Sequence, residues 1–266
     1  MPRVAGALPI AAMGPLGRLR AATRAVGFAT WTSGVVYSHR VLARFDDELA
    51  TPLGKRQFIA TWSRGAFPLL GVELSLVGGE APRELGKSYL VVANHRAPLD
   101  ILVCVHLVGG VVLSHHGVAE IPVIGEAARA TDTIFVDRED SRSGAQAIRQ
   151  MRRRLADGQN VIVFPEGTTF PGDEVRPFKP GAFSAAKGLP NVRVLPVGIA
   201  YEPGAEFVGE SFGEHARRMA ARPRTPVWAT IGEPLDVPRK ETEQEDLRRV
   251  VQALAHTSAA ARDGRR

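Results

Sequence analysis

From Val72 onward, short runs of β-branched and aliphatic residues alternate with helix-like segments, and no other feature limits the fold so strongly. Residues 88–92, 111–114, 133–136, 161–164, 192–200 and 226–232 read as strands. Between them, residues 141–157 read as a helix closed by Gly158, with Ile148, Met151 and Leu155 on one face. The triplet Arg152, Arg153 and Arg154 is then its solvated side. Strand–helix alternation of this kind implies an α/β layer fold, a largely parallel central sheet flanked by helices. In such sheets ligands gather outside the carboxyl ends of the strands.

The part before Val72 has a different texture. Residues 1–64 hold nine Lys and Arg against three acids, a surplus equal to the net charge of +6 of all 266 residues. Residues 18–45 and 55–70 read as amphipathic helices carrying Leu19, Val26, Leu42 and Phe58, Trp62, Phe67. Basic charge interleaved with apolar side chains suits an anionic membrane surface. Nucleic acid is the competing partner for such charge, and is set aside because no binding motif accompanies it. Gly27, Thr30, Thr32, Ser33 and Gly34 dilute the best apolar stretch, so the expected attachment is peripheral rather than spanning. Gly6, Pro9, Gly14 and Pro15 interrupt residues 1–17 and argue against a signal peptide. The expected organisation is a membrane-interface segment over 1–70, an α/β domain over 71–240, and over 241–266 a polar helix, residues 241–256, ahead of a disordered basic tail. The single cysteine, Cys104, lies in an apolar run and reads as core filler, which excludes a disulfide framework.

Chemistry collects at the strand ends. After the strand at 88–92 comes Asn94-His95-Arg96-Ala97-Pro98-Leu99-Asp100, with Pro98 opening a helix. On one continuous helix two side chains five apart point roughly 140° away from each other. With His95 in the preceding turn, Asp100 can reach back to the imidazole, hold its tautomer and raise its basicity, as removal of a hydroxyl proton requires. The strand at 133–136 leads into Asp137-Arg138, a guanidinium able to grip a phosphate or carboxylate. The strand at 161–164 leads into Pro165-Glu166-Gly167-Thr168-Thr169, which presents a carboxylate to substrate hydroxyls and backbone N–H groups to an anion. The run Leu195-Pro196-Val197-Gly198-Ile199 is apolar and suited to lining an acyl-chain wall. His115 and His116 are a poor metal pair, because neighbours on a strand face opposite ways.

Taken in order, these segments resemble the glycerolipid acyltransferase family, specifically its 1-acylglycerol-3-phosphate acyltransferases. His95 to Asp100 resembles the histidine–four residues–aspartate block, Phe135 to Arg138 the second, Phe164 to Thr168 the third and Val194 to Val197 the fourth. The resemblance covers residues 72–235. It implies acyl transfer from acyl-CoA or acyl-carrier protein to the hydroxyl of a lysophospholipid, with 1-acylglycerol-3-phosphate as the expected acceptor and phosphatidic acid as product, at the cytoplasmic face of the cell membrane. By the same resemblance His95 is the base and Asp100 its partner. Arg138 contacts phosphate, and Glu166, Gly167 and Thr168 line the acceptor site. No acyl-enzyme, cofactor or metal is expected.

Two departures bear on the acceptor. Where many members carry arginine after the third block's threonine, this chain has Thr169, and Lys179 or Arg176 is the replacement cation expected from the following loop. Where many carry lysine before the Ile121-Pro122…Gly125 turn, it has His115-His116. The third block also resembles that of lyso-ornithine-lipid acyltransferases, whose acceptor lacks a phosphomonoester. A non-catalytic scaffold and a thioester hydrolase are the readings of a different class.

Overall fold

The computed structural model describes residues 14–79, 87–137 and 139–265. Arg138 and the interrupted apolar stretch over 1–13 lie outside them. The described strands are β1 (Val72–Leu76), β2 (Ser88–Ala93), β3 (Val111–His115), β4 (Ile134–Val136), β5 (Val161–Val163), β6 (Val192–Tyr201) and β7 (Thr225–Ile231). They form one sheet in the order β1-β7-β6-β2-β5-β3-β4. β6, β2, β5, β3 and β4 are mutually parallel. β7 runs antiparallel to β6, and β1 lies parallel to β7.

The described α-helices are α1 (Pro15–Leu42), α2 (Pro52–Leu70), α3 (Leu99–Val108), α4 (Ile124–Ala130), α5 (Ser141–Ala156), α6 (Gly181–Ser184), α7 (Phe212–Ala221) and α8 (Glu241–Asp263). Side-chain alternation along β2 divides the core. Tyr89, Val91 and Ala93 meet Phe58, Phe67 and Leu102 of α2 and α3. Leu90 and Val92 join the layer of Met151 and Leu155 of α5 and Leu247 and Val251 of α8. With both faces covered, the central strands carry no polar alternation, hence their continuous apolar runs.

Three features differ from the reading of the sequence. First, α8 continues to Asp263 instead of giving way to a disordered tail near His256. Ser258 is buried, its hydroxyl paired with Thr230 Oγ1 (2.7 Å) and Gly198 O (3.1 Å), and Arg262 pairs with Asp173 at 3.0 Å. Second, Leu195, Val197 and Ile199 are wholly buried in the middle of the sheet and line no acyl-chain wall. A Cβ at Gly198 would lie 2.2 Å from the Ala255 nitrogen, so glycine there lets α8 rest on β6. Third, three N-terminal cations are drawn into the fold. Arg20 donates to Ala221 O (2.8 Å). Arg24 donates to the carbonyls of Ala220, Arg222 and Pro223 (2.6–3.2 Å), and Lys55 pairs with Asp132 at 2.5 Å. Among the described residues, no helix is long and apolar enough to cross a membrane.

Candidate active site

After β5 the chain crosses to the other side of β2, so β2 ends at the reversal of the sheet's winding, where ligands of α/β proteins bind. Asn94 leaves β2 with its side chain bonded twice to Ile199 of β6, accepting from its N–H (2.7 Å) and donating to its carbonyl (2.8 Å). That fixes where the following turn starts.

Within the turn, Asp100 Oδ2 lies 2.8 Å from His95 Nδ1 and accepts the N–H groups of Arg96 (2.5 Å) and Ala97 (2.8 Å). Oδ1 accepts the Tyr201 hydroxyl at 2.6 Å. Every contact to this fully buried carboxylate comes from a donor, so His95 presents Nδ1–H to it and keeps Nε2 for an incoming group. The imidazole stacks on Phe164 at 4.3 Å between ring centroids and is 16% exposed, enough for a substrate atom to reach it. Burial, then the adjacent Asp100, pushes the Tyr201 phenol well above its ordinary pKa, so it remains a donor. The same two causes raise the Cys104 thiol, which is inert.

Glu166 does different work from the substrate contact expected of it. Oε1 accepts the His95 N–H (2.6 Å) and Oε2 the Arg176 N–H (2.7 Å), while Arg96 Nη1 reaches both oxygens at 3.1 and 3.3 Å. The carboxylate is buried and its oxygens are taken, so Glu166 orients the turn that carries His95. Its partner Arg96 is equally buried and also donates to His95 O (2.8 Å) and Glu174 O (2.6 Å). A buried charge pair needs such completion, because losing one partner strands the other.

The remaining candidates lie around the Glu166 turn. Gly167 has φ of +81°, and a Cβ there would meet the Lys179 side chain at 2.8 Å. Its N–H is taken by Phe164 O (3.0 Å). Thr168 and Lys179 are exposed, with Lys179 anchored by its N–H to Pro165 O (2.8 Å). The Arg176 guanidinium sits 4.9 Å from the Phe170 ring centre. At the end of β3 the rings of His115 and His116 lie 4.2 Å apart, tilted by 35°, instead of pointing apart, because the strand breaks into a 3₁₀ turn at His116 (His116–Glu120). Among the described residues no three His, Cys, Asp or Glu side chains converge as metal ligands.

The sequence reading passed over Tyr201 and Arg96. Tyr201 lies one residue beyond the strand end read from the sequence, and only the β2–β6 pairing carries it to Asp100. Arg96 had a signal: a cation beside the histidine, three strands' worth of chain ahead of an isolated Glu166.

The family model described as acyltransferase matches residues 76–200. A lyso-ornithine lipid O-acyltransferase from Pseudomonas aeruginosa is 30% identical over 238 residues, covering 85% of this chain and 84% of that protein. The chain belongs to the acyltransferase family. A lyso-ornithine lipid O-acyltransferase from Rhizobium meliloti is 35% identical over 61% of this chain. The acyltransferase chain spans about half the length of several of these curated relatives, 56% in the Rhizobium protein. Among solved structures, the 1-acyl-sn-glycerophosphate acyltransferase PlsC from Thermotoga maritima superposes with a TM-score of 0.65 at 25% identity, over 93% of this chain and 95% of that one.

Proposed function

We propose that the chain transfers an acyl group from a thioester donor, acyl-CoA or acyl-carrier protein, to a lysolipid hydroxyl, with His95 as general base. The observation that carries this is the hydrogen-bonded series Tyr201–Asp100–His95, which ends in an imidazole Nε2 open to substrate at the carboxyl end of β2. Nε2 accepts the hydroxyl proton as the oxygen attacks the thioester carbonyl. The C–O bond forms, the C–S bond breaks, and the proton returns from the imidazolium to the departing sulfur. Asp100 stabilises the cation formed between those steps.

For the acceptor we favour a lyso-ornithine lipid. Thr169 stands where a phosphate-binding arginine is expected, and its hydroxyl is committed to Phe207 O at 2.7 Å. The first relatives also bear that substrate in their names. The second reading, 1-acylglycerol-3-phosphate, is favoured by Lys179, an exposed cation against Gly167 that can meet a phosphomonoester. Arg138 is assigned to an anion of donor or acceptor under either reading. The helices α1 and α2 are the proposed membrane-facing part.

Purified protein assayed with one acyl donor against a panel of lysolipids tests both levels. Acylated ornithine lipid is the expected product, abolished in His95→Ala, since a general base contributes about 10²–10⁴-fold. Phosphatidic acid alone would transfer the acceptor assignment to the second reading. Free fatty acid would reveal a hydrolase, and turnover by His95→Ala would end the assignment of the base.

A further inference from the structure

Ten residues, 202–211, connect β6 to α7, longer than the two to six usual between strand and helix. The connection is tied to the His95 turn at two points. Tyr201, just before it, holds Asp100 Oδ1. Six residues on, Phe207 donates its N–H to Arg96 O (2.8 Å) and accepts the Thr169 hydroxyl on its own carbonyl (2.7 Å). One residue thus bridges the turn of His95 and the turn of Glu166.

Arg218 of α7 grips this connection from behind. It donates to the carbonyls of Gly204 and Glu206 (the latter 2.9 Å) and forks onto Glu210, Nη2 to Oε1 at 2.5 Å and Nε to Oε2 at 3.2 Å. Glu210 Oε1 also meets His215 Nδ1 at 2.9 Å, and the buried His215 ring packs edge-on against Phe207 at 5.0 Å. The turn's backbone is thereby satisfied on both sides. Its N–H groups end on Glu166 and Asp100. Its carbonyls at His95 and Arg96 end on Phe170 N–H (3.2 Å) and Phe207 N–H.

We propose that Thr169 and Arg218 are positioning residues for the catalytic base, clamping Phe207 against the His95 turn from opposite sides. Neither is the base. Thr169 acts through the Phe207 carbonyl and Arg218 through the Glu206 carbonyl, part of the peptide link whose N–H belongs to Phe207, and this link fixes the carbonyl side of the turn as the two carboxylates fix its N–H side. The role rests on the acyl-transfer reading above, and its test separates the two.

The experiment uses the full chain and three variants, Thr169→Val, Thr169→Ser and Arg218→Lys. It reads kcat and KM for acyl transfer together with hydrogen–deuterium exchange of peptides spanning residues 94–100. Thr169→Val is expected to lower kcat about 2- to 12-fold with KM unchanged, the worth of one hydrogen bond, and to speed exchange in the turn. Thr169→Ser restores both. Arg218→Lys, which cannot fork, is expected to cost about 10- to 100-fold in kcat, as small displacements of a catalytic group do. Wild-type kcat and protection in Thr169→Val and Arg218→Lys would overturn the proposal, as would a loss that serine does not restore or one confined to KM. Should the unaltered chain acylate no lysolipid, the acyl-transfer reading falls, and exchange over residues 94–100 alone decides the clamp.

Discussion

Asp100→Asn is the most informative single change, because the structure fixes what it removes and what it leaves. Three donors converge on Oδ2, the His95 ring and the N–H groups of Arg96 and Ala97, and only the Tyr201 hydroxyl reaches Oδ1. An asparagine that turns its oxygen toward the three donors keeps them all. Its NH₂ then faces Tyr201, whose hydroxyl rotates from donor to acceptor. The imidazole tautomer survives and only the negative charge is lost, so the developing imidazolium forfeits a charge-assisted bond of roughly 1.5–3 kcal/mol. The expected fall in kcat is therefore about 10- to 100-fold, against about 10⁴ where the wrong tautomer is trapped. Asp100→Ala would be uninformative. It strands two buried N–H groups and a phenol at about 1–3 kcal/mol each, within reach of a whole domain's stability of about 5–15 kcal/mol. The assay is steady-state transfer from acyl-CoA to lysolipid in mixed micelles, with a thermal melt to show the variant folded. Turnover within twofold of the unaltered protein, by folded Asp100→Asn, would refute the role given to the carboxylate.

Tyr201→Phe removes one donor from a buried carboxylate and should cost about 1.5–3 kcal/mol of stability while leaving the His95–Asp100 contact in place; a melting temperature unchanged from wild type would count against the 2.6 Å bond. Stability should also fall on acidification below the ordinary histidine pKa of ~6.5. Burial holds His39, His106 and His215 below that value, with Lys55, Arg64 and Arg218 respectively adding to it and Glu210 partly opposing it at His215. The unfolded chain therefore binds protons that the folded one refuses, so stability is full above that pH and is lost toward the lowered folded values. Melting temperatures recorded from pH 8 to 5 check this, and a flat profile across pH 6.5–5 would contradict it.

The strands were legible because both faces of the sheet are covered, so burial wrote itself into the sequence as apolar runs at 89–93, 161–164 and 194–200. The His95–Asp100 pair was legible because both residues lie in one seven-residue segment, a turn running into the first residues of α3, where local geometry dictates which side chains meet. Glu166 misled for the opposite reason. A carboxylate in a glycine turn looks available for substrate until Arg96, 70 positions earlier, is folded against it. Arg96, Tyr201 and Phe207 acquire their parts only through strand pairing and loop closure, which composition and periodicity do not encode. The polar look of residues 257–263 hid a helix whose serine and arginine find partners on β6, β7 and the loop at Asp173.

Charge counting misjudged the N-terminal helix in an instructive way. On a helix of 3.6 residues per turn, Leu19, Val26 and Tyr37 fall within roughly 20° of one another, while Arg20 and Arg24 lie about 100–160° away. The structure obeys that division. The two arginines cap carbonyls at the end of α7, and Leu19, Val26 and Tyr37 are 62%, 67% and 71% exposed. Basic residues expected to meet lipid headgroups are thus partly structural, and an apolar strip faces outward in their stead. If α1 meets a bilayer, burying Leu19 and Val26 contributes about 2–4 kcal/mol, from roughly 1.5–3 kcal/mol for full burial of each. Each remaining surface cation adds about 1 kcal/mol near an anionic lipid, and salt screens that part. The double variant Leu19→Gln, Val26→Gln should therefore lower partitioning into lipid vesicles by roughly 30- to 1,000-fold. Raising salt from 0.1 to 0.5 M should leave most of the unaltered protein bound. Sedimentation with vesicles of neutral and of anionic lipid measures both effects. Complete release by salt, with the double variant binding like wild type, would return the attachment to charge and refute the strip.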